Sequence, residues 1–296
     1  MNVRLDRDAW RRGKSVAISI AALACVVIAL IPLGSILLEV VSRGIGVISP
    51  SFFTQNLPNP CSPQLSGSCP TGGISNALEG TFVLVGFTSL ISLPVGVLTG
   101  IFLSEYGENR LGRSIRYFAD VMVGIPSIVA GVLVYSLFLL VAPTIGFSAI
   151  AGIIALAVIM IPIVARTSEE ALRLVPNSVR EAALALGLPR YRVTLRIVLS
   201  TGRSGLLTGA LLAVARVSGE TAPLIMTAFG SPVGFQGFNE PIEAMPHIIY
   251  VYGVSVFPNW QNLAWGTSLV LLVLMLGISV ASRLALRQKF GIRGVV

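Results

Sequence analysis

A chain of 296 residues that is 54% hydrophobic and only 11% charged is excluded from the ordinary soluble domains, whose surfaces need about a quarter of their residues charged. Its net charge of +8 invites a nucleic-acid partner, but 19 of the 21 Lys and Arg residues fall in four blocks that flank apolar runs. Such a distribution belongs to a polytopic membrane protein and reports topology; attraction to anionic lipid is secondary.

The first block, Arg4, Arg7, Arg11, Arg12 and Lys14, precedes an apolar run at 16–41. Ala22-Leu23-Ala24-Cys25 loosely resembles a lipoprotein cleavage site, but the run is too long for a signal peptide, so it reads as a retained helix. Cys25 is expected to be a small core residue of that helix. Gly13-Lys14-Ser15 looks like the end of a phosphate-binding loop, yet Asp8 stands where that motif needs another glycine, and no ATP site is read here. An outward loop at 42–75 carries Cys61 and Cys69 in NPCSPQLSGSCP. Their short spacing, in a loop facing an oxidising compartment, favours a disulfide.

Further apolar runs follow at 78–104, 121–141, 147–165, 206–229 and 263–286. All six runs are long enough to cross a hydrocarbon core as helices, the default where backbone groups find no water. Arg110, Arg113 and Arg116 follow the second run; seven arginines from Arg166 to Arg203 follow the fourth; Arg283, Arg287, Lys289 and Arg293 close the chain. The basic blocks place both termini in the cytoplasm. Five runs hold one proline each, Pro32, Pro94, Pro126, Pro162 and Pro223, expected as kinks. Gly86, Gly96, Gly124, Gly131 and Gly209 are expected to allow close helix contact. The second long outward loop, 230–261, has no Lys or Arg and should form short helical pieces at the membrane surface. Its His247 is the chain's one histidine; with no neighbouring ligand set it is read as structural or solvated, and no metal site is expected.

The loop after the fourth run reads PNSVREAALALGLPRYRVTLRIVLS from Pro176. Ser178 and Glu181 have capping-box spacing, and Gly187 followed by Pro189 stops a helix. The spacing therefore predicts a short helix over 178–187, with Val179, Ala182, Ala183 and Leu186 on one stripe. That stripe could pack on its own bundle or fill a partner's groove.

Glu181-Ala182-Ala183, then Gly187, then Ile197-x-Leu199 resembles the EAA loop of ABC importer permeases, with Ser200 in place of that pattern's proline. The resemblance covers about 76–286. It implies an all-α integral membrane protein with six transmembrane helices and the type I ABC importer permease fold. It also implies that the short helix seats in a cytoplasmic ATPase, with Glu181, Ala182, Ala183 and Gly187 at the coupling surface. Residues 1–75 then form an N-terminal segment with the first helix and its loop, 76–286 the permease core, and 287–296 a cytoplasmic tail.

Within the fifth run stands ARVSGETAP, residues 215–223. Thirteen helical residues from Arg203 place Arg216 about 20 Å deep, where a charge exposed to lipid costs about 3 kcal/mol. Arg216 and Glu220, four residues apart, are expected to share a helix face turned to the bundle or a water-filled path. Two readings compete: a structural ion pair, or an anion site. A guanidinium grips an oxyanion with two parallel hydrogen bonds, and the carboxylate keeps binding transient and can accept the proton of a protonated oxyanion, which phosphate carries and sulfate does not. Ser218 and Gly219 leave room around the pair.

ARVSGETAP followed by Leu224 is similar to the fifth-helix segment of phosphate-specific ABC importer permeases of the PstA type. The resemblance implies a substrate path lined by Arg216, Glu220, Ser218 and Thr221, and no cofactor or catalytic residue in the chain itself. It further implies a heterodimer with a second, related permease subunit, a dimer of cytoplasmic ATPase, an extracytoplasmic phosphate-binding protein, and a place in the bacterial inner membrane. A permease for sulfate, molybdate or phosphonate is the alternative within the class. A secondary transporter would be expected to carry more intramembrane acids, since Glu220 reads as the one deeply placed acid. A membrane enzyme would need a polar cluster that the runs lack.

Overall fold

The computed structural model describes residues 2–59 and 72–289. Among these residues it is helical throughout, without a strand; one isolated bridge pairs Phe229 with Ile242. Cys61 and Cys69 lie outside the described residues.

Helix α1, Asn2–Ile45, is predominantly apolar from Gly13 onward and meets the last helix near its end, where Arg43 lies over the Trp265 ring and Gly44 abuts Leu269. Cys25 is accordingly exposed, not a core residue: among the described residues nothing packs against it. After α2, Pro50–Thr54, come two long helices that form the centre of the fold, α3 (Ser75–Tyr106) and α6 (Ala149–Arg173). They approach closely because α3 offers glycines. A side chain at Gly96 would run into Val164, and one at Gly100 into Ser168. Gly131 and Gly209 allow similar contact with Pro223 and Thr167. Gly86 and Gly124 do not; both face open space.

Between α3 and α6 lie α4 (Arg110–Gly124) and α5 (Ser127–Val141), bent by 105° to each other. The third apolar run is thus not a kinked helix but a broken one. Pro126 removes an amide donor and forces Ile125 into an extended conformation, ending α4 two residues earlier. Five helices are long and apolar enough to cross a membrane, and six if the bent pair makes one crossing.

The fifth run differs too. Its helix α8 runs from Arg190 to Ser218, with a π-helical turn at Val193–Val198, and then stops. The chain resumes as the six-residue α9, Ala222–Thr227. Pro223, near the start of α9, could not have bonded to the carbonyl of Gly219, so the break falls between them. Pro32, Pro94 and Pro162 do sit inside helices.

Leu84, Leu156, Met160, Val164, Val217 and Leu224 make the main core where α3, α6, α8 and α9 meet. A second cluster, with Phe52, Ile74, Met245 and Leu263, joins the segment before α3 to α10 (Met245–Gly253) and α11 (Pro258–Lys289). The Trp260 indole donates to the Pro58 carbonyl at 3.1 Å. His247 is not solvated: its Nδ1 is 2.6 Å from the buried Glu243 carboxylate, a neighbour four residues away that sequence reading passed over. Burial, with the Glu243 charge beside it, pushes the Tyr252 hydroxyl up to about 12.

Candidate functional site

Arg216 lies in the last turn of α8 and Glu220 just past its end, so the two no longer share one helix. The turn over Gly219 still brings them together, with Arg216 Nε 3.7 Å from Glu220 Oε1. This is a loose pair. The arginine side chain is 53% exposed within the chain and the glutamate 16%. Thirteen residues of unbroken helix do separate Arg203 from Arg216; beyond Ser218 the count cannot be continued, because the chain turns.

Among the described residues, Arg216 is the one charged group on the wall of a partly open cavity of about 800 Å³, bordered mainly by α4, α5 and α6 and touched by Thr99 of α3. Met122, Pro126, Leu133, Ile159 and Pro162 supply its apolar lining. On the other side of the same turn, Gly219 and Thr221 border a second hollow of about 500 Å³, formed with Pro246, Tyr250 and Leu271. Of the four residues expected along a path, Arg216, Glu220 and Thr221 are at least partly open. Ser218 is turned inward: it is buried, and its Oγ donates to the Val214 carbonyl at 2.7 Å. It supports the helix end and does not line either hollow. A guanidinium held beside an apolar cavity, with only a distant carboxylate to satisfy it, can accept an oxyanion without first breaking a tight ion pair.

The expected short helix is present as α7, Asn177–Ala185. Gly187 has φ +79° and follows the helix in a left-handed conformation, with Leu188 N–H donating to the Ala183 carbonyl and Gly187 N–H to that of Leu184. The capping box does not form. Pro176 is the N-cap residue and offers no side-chain acceptor, so Ser178 falls inside the first turn, past the position from which a side chain caps the free amides. The apolar stripe divides: Val179 and Ala183 pack into a cluster with Leu172, Val175 and Val198, while Ala182 and Leu186 face outward with Glu181. Leu186 is 83% exposed, as is Leu174 nearby. One face holds the helix to its own chain and the other is open.

Residues 93–289 match the family described as binding-protein-dependent transport system inner membrane component. The chain belongs to this family. The match covers α7 and the Arg216–Glu220 turn, and leaves out α1 and its loop. Among the members most similar to the chain is the phosphate transport system permease protein PstA of Haemophilus influenzae, 41% identical over 95% of this chain and 96% of that one. The protein of the same name from Yersinia pestis is 38% identical over 98% and 95%, and PstA 1 of Mycobacterium tuberculosis strain CDC 1551 / Oshkosh 36% identical over 86% and 83%. The fold resembles that of the MetNI methionine ABC transporter in inward-facing conformations, at TM-score 0.54 and 24% identity, over 72% of this chain and 92% of that one. A crystallised amino acid ABC transporter gives TM-score 0.52 at 16% identity, over 71% and 92%. The type I importer permease fold expected of this multi-pass membrane protein is thus the fold observed.

Two ionic clusters in this family member were missed. Glu169, expected past the end of the fourth membrane helix, lies within α6 and is 1% exposed. It is held by Arg116 of α4 at 2.7 Å, Arg166 at 2.6 Å and Arg173 at 3.0 Å, and Arg166 also reaches Asp120 at 2.8 Å. Glu169 is thus a buried acid near the end of α6, beyond the apolar run read from the sequence. The second cluster joins Arg180 of α7 to Glu105 at the end of α3. The Arg116–Glu169 and Arg180–Glu105 contacts were hidden because the partners are 53 and 75 residues apart in sequence, whereas Arg166 and Arg173 stand at helical spacing from Glu169 and could have suggested part of the first cluster. Part of the basicity read as topology therefore serves ion pairs.

Proposed function

We propose that this chain is a permease subunit of an ATP-driven importer that carries inorganic phosphate into a bacterial cytoplasm across the inner membrane. The observation that carries the proposal is the near full-length similarity to proteins named phosphate transport system permease, together with an exposed guanidinium on a cavity wall. Arg216 takes the oxyanion with charged hydrogen bonds, and Glu220 weakens the local positive potential so that the anion can leave. Thr221 offers a hydroxyl on the far side of the turn, and Ser218 fixes the end of α8. Both termini and α7 lie in the cytoplasm, where the basic blocks belong.

The open face of α7, with Glu181, Ala182, Leu186 and Gly187, seats in one subunit of an ATPase dimer that performs the hydrolysis. A second, related permease closes the cavity from the opposite side, and an extracytoplasmic phosphate-binding protein delivers the cargo. The core spans 76–286, and the Cys61–Cys69 pair stiffens an outward loop if oxidised.

Gly187→Asp tests the coupling. Among the described residues nothing beyond its chain neighbours lies within 4 Å of a Cβ placed there, so the new carboxylate would project from the open face, at a backbone conformation that disfavours L side chains by about 1 kcal/mol. Phosphate uptake should be lost while the protein stays in the membrane at normal abundance. Uptake and abundance are both read in cells carrying only this copy. Normal uptake would remove α7 from the ATPase contact, and equal transport of sulfate and phosphate by the assembled complex would remove phosphate selectivity.

A further inference from the structure

Arg180 sits on the inner side of α7 and makes more contacts than any ion pair needs. Its Nε and Nη2 lie 3.2 and 3.1 Å from Glu105 Oε1, at the end of α3. Nη2 also donates to the Leu172 carbonyl at 2.9 Å, and Nη1 to the carbonyl of Val175 and to Asn177 Oδ1. Leu172 belongs to the last turn of α6, whose terminal carbonyls have no partner within the helix. The other oxygen of Glu105 accepts from Thr194 Oγ at 3.5 Å, within the π-helical turn that opens α8. Both charged side chains are largely buried, 17% and 13% exposed. Arg180 and Glu105 therefore join α7 to α3, α6 and α8 at one point. Leu184, Arg190 and Val193 complete a small hollow of about 190 Å³ around them.

We infer that the Arg180–Glu105 pair is a strut that makes α7 move as one body with α3, α6 and α8, which contribute Thr99, Ile159 and Arg216 to the wall of the permeation cavity. Both are positioning residues: neither touches phosphate or ATP. The proposal rests on the reading that α7 meets an ATPase. A short helix attached only through Val179 and Ala183 could slide on its apolar contact when pushed. A planar guanidinium bonded at once to a carboxylate and to helix-end carbonyls fixes both distance and angle. The pair stands at an interruption of regular helix in α8, the type of place where helices hinge. Displacement of α7 is thereby delivered to α8, whose other end carries Arg216.

The test uses the whole complex in vesicles, with its second permease, ATPase and phosphate-loaded receptor, and reads phosphate moved per ATP hydrolysed. Glu105→Gln keeps the size and one acceptor but drops the charge. Arg180→Lys keeps the charge but cannot reach the carboxylate and both carbonyls together. Both variants should assemble and hydrolyse ATP, with the transport ratio falling about three- to thirtyfold. The double variant should lose little more than the worse single one, because the two side chains act as one unit. Two results would overturn the strut: an unaltered ratio in both variants, or uptake and hydrolysis falling in equal proportion, which would make the pair a matter of assembly only. Failure of the underlying ATPase reading looks different, since the unsubstituted complex would then take up phosphate without regard to ATP.

Discussion

Arg216→Ala should reduce phosphate accumulation about a hundredfold or more, because each charged hydrogen bond to an oxyanion contributes about 1.5–3 kcal/mol and the guanidinium supplies two of them. The expected loss is functional, not structural. The arginine makes one loose contact at 3.7 Å and is half exposed, so its removal leaves no tightly paired buried charge behind. Membrane abundance should therefore stay normal. Arg216→Lys should fall between the two: the charge survives, the fork does not, and a point charge cannot hold two oxygens in a fixed orientation. Labelled phosphate uptake in cells with a single chromosomal copy, with the protein quantified in the membrane, separates these outcomes.

Glu169→Ala should have the largest effect on stability. Arg116, Arg166 and Arg173 all place nitrogens within 3.0 Å of its carboxylate, which is almost completely buried. Removing the anion leaves three cations around a vacated site. Breaking a buried pair from one side costs about 3–5 kcal/mol, and the partial exposure of the arginines favours the lower end. For a chain of this size about 3 kcal/mol lowers the unfolding midpoint by roughly 6–12 °C. The contact to Arg116 is also a main tie between α4 and α6, so the cavity beside Arg216 should lose its shape. Thermal aggregation of the detergent-purified chain measures the shift. A midpoint within a degree or two of the unsubstituted protein would mean that the arginines find other partners.

The features legible in the sequence are those set by local pattern. Apolar length announced the membrane helices, and the glycine after Leu186 fixed where α7 ends. ARVSGETAP marked the charged turn. Less legible were the places where a proline decides between bending and breaking. Pro94 and Pro162 leave their helices continuous, whereas Pro126 and Pro223 stand at breaks. The difference lies in what surrounds each ring after folding, not in the ring itself. The capping box failed because Pro176 won the N-cap position from Ser178. The Arg116–Glu169 and Arg180–Glu105 pairs were invisible for a different reason: their partners are brought close only by the packing of α3, α4, α6 and α7. His247 belongs with them in part, since Glu243 is four residues away and helical spacing could have suggested the pair.

If Arg216 meets the anion during transport, its position is reached from water on either side of the membrane at different points of the cycle. Arg216→Cys, in a chain whose other cysteines have been replaced, can be exposed to a membrane-impermeant thiol reagent with the complex held nucleotide-free or ATP-bound. Labelling from one face in the first state and from the opposite face in the second is the predicted result. A thiol that no reagent reaches from either face, in any nucleotide state, would show that the position is sealed in dry packing and contradict the account.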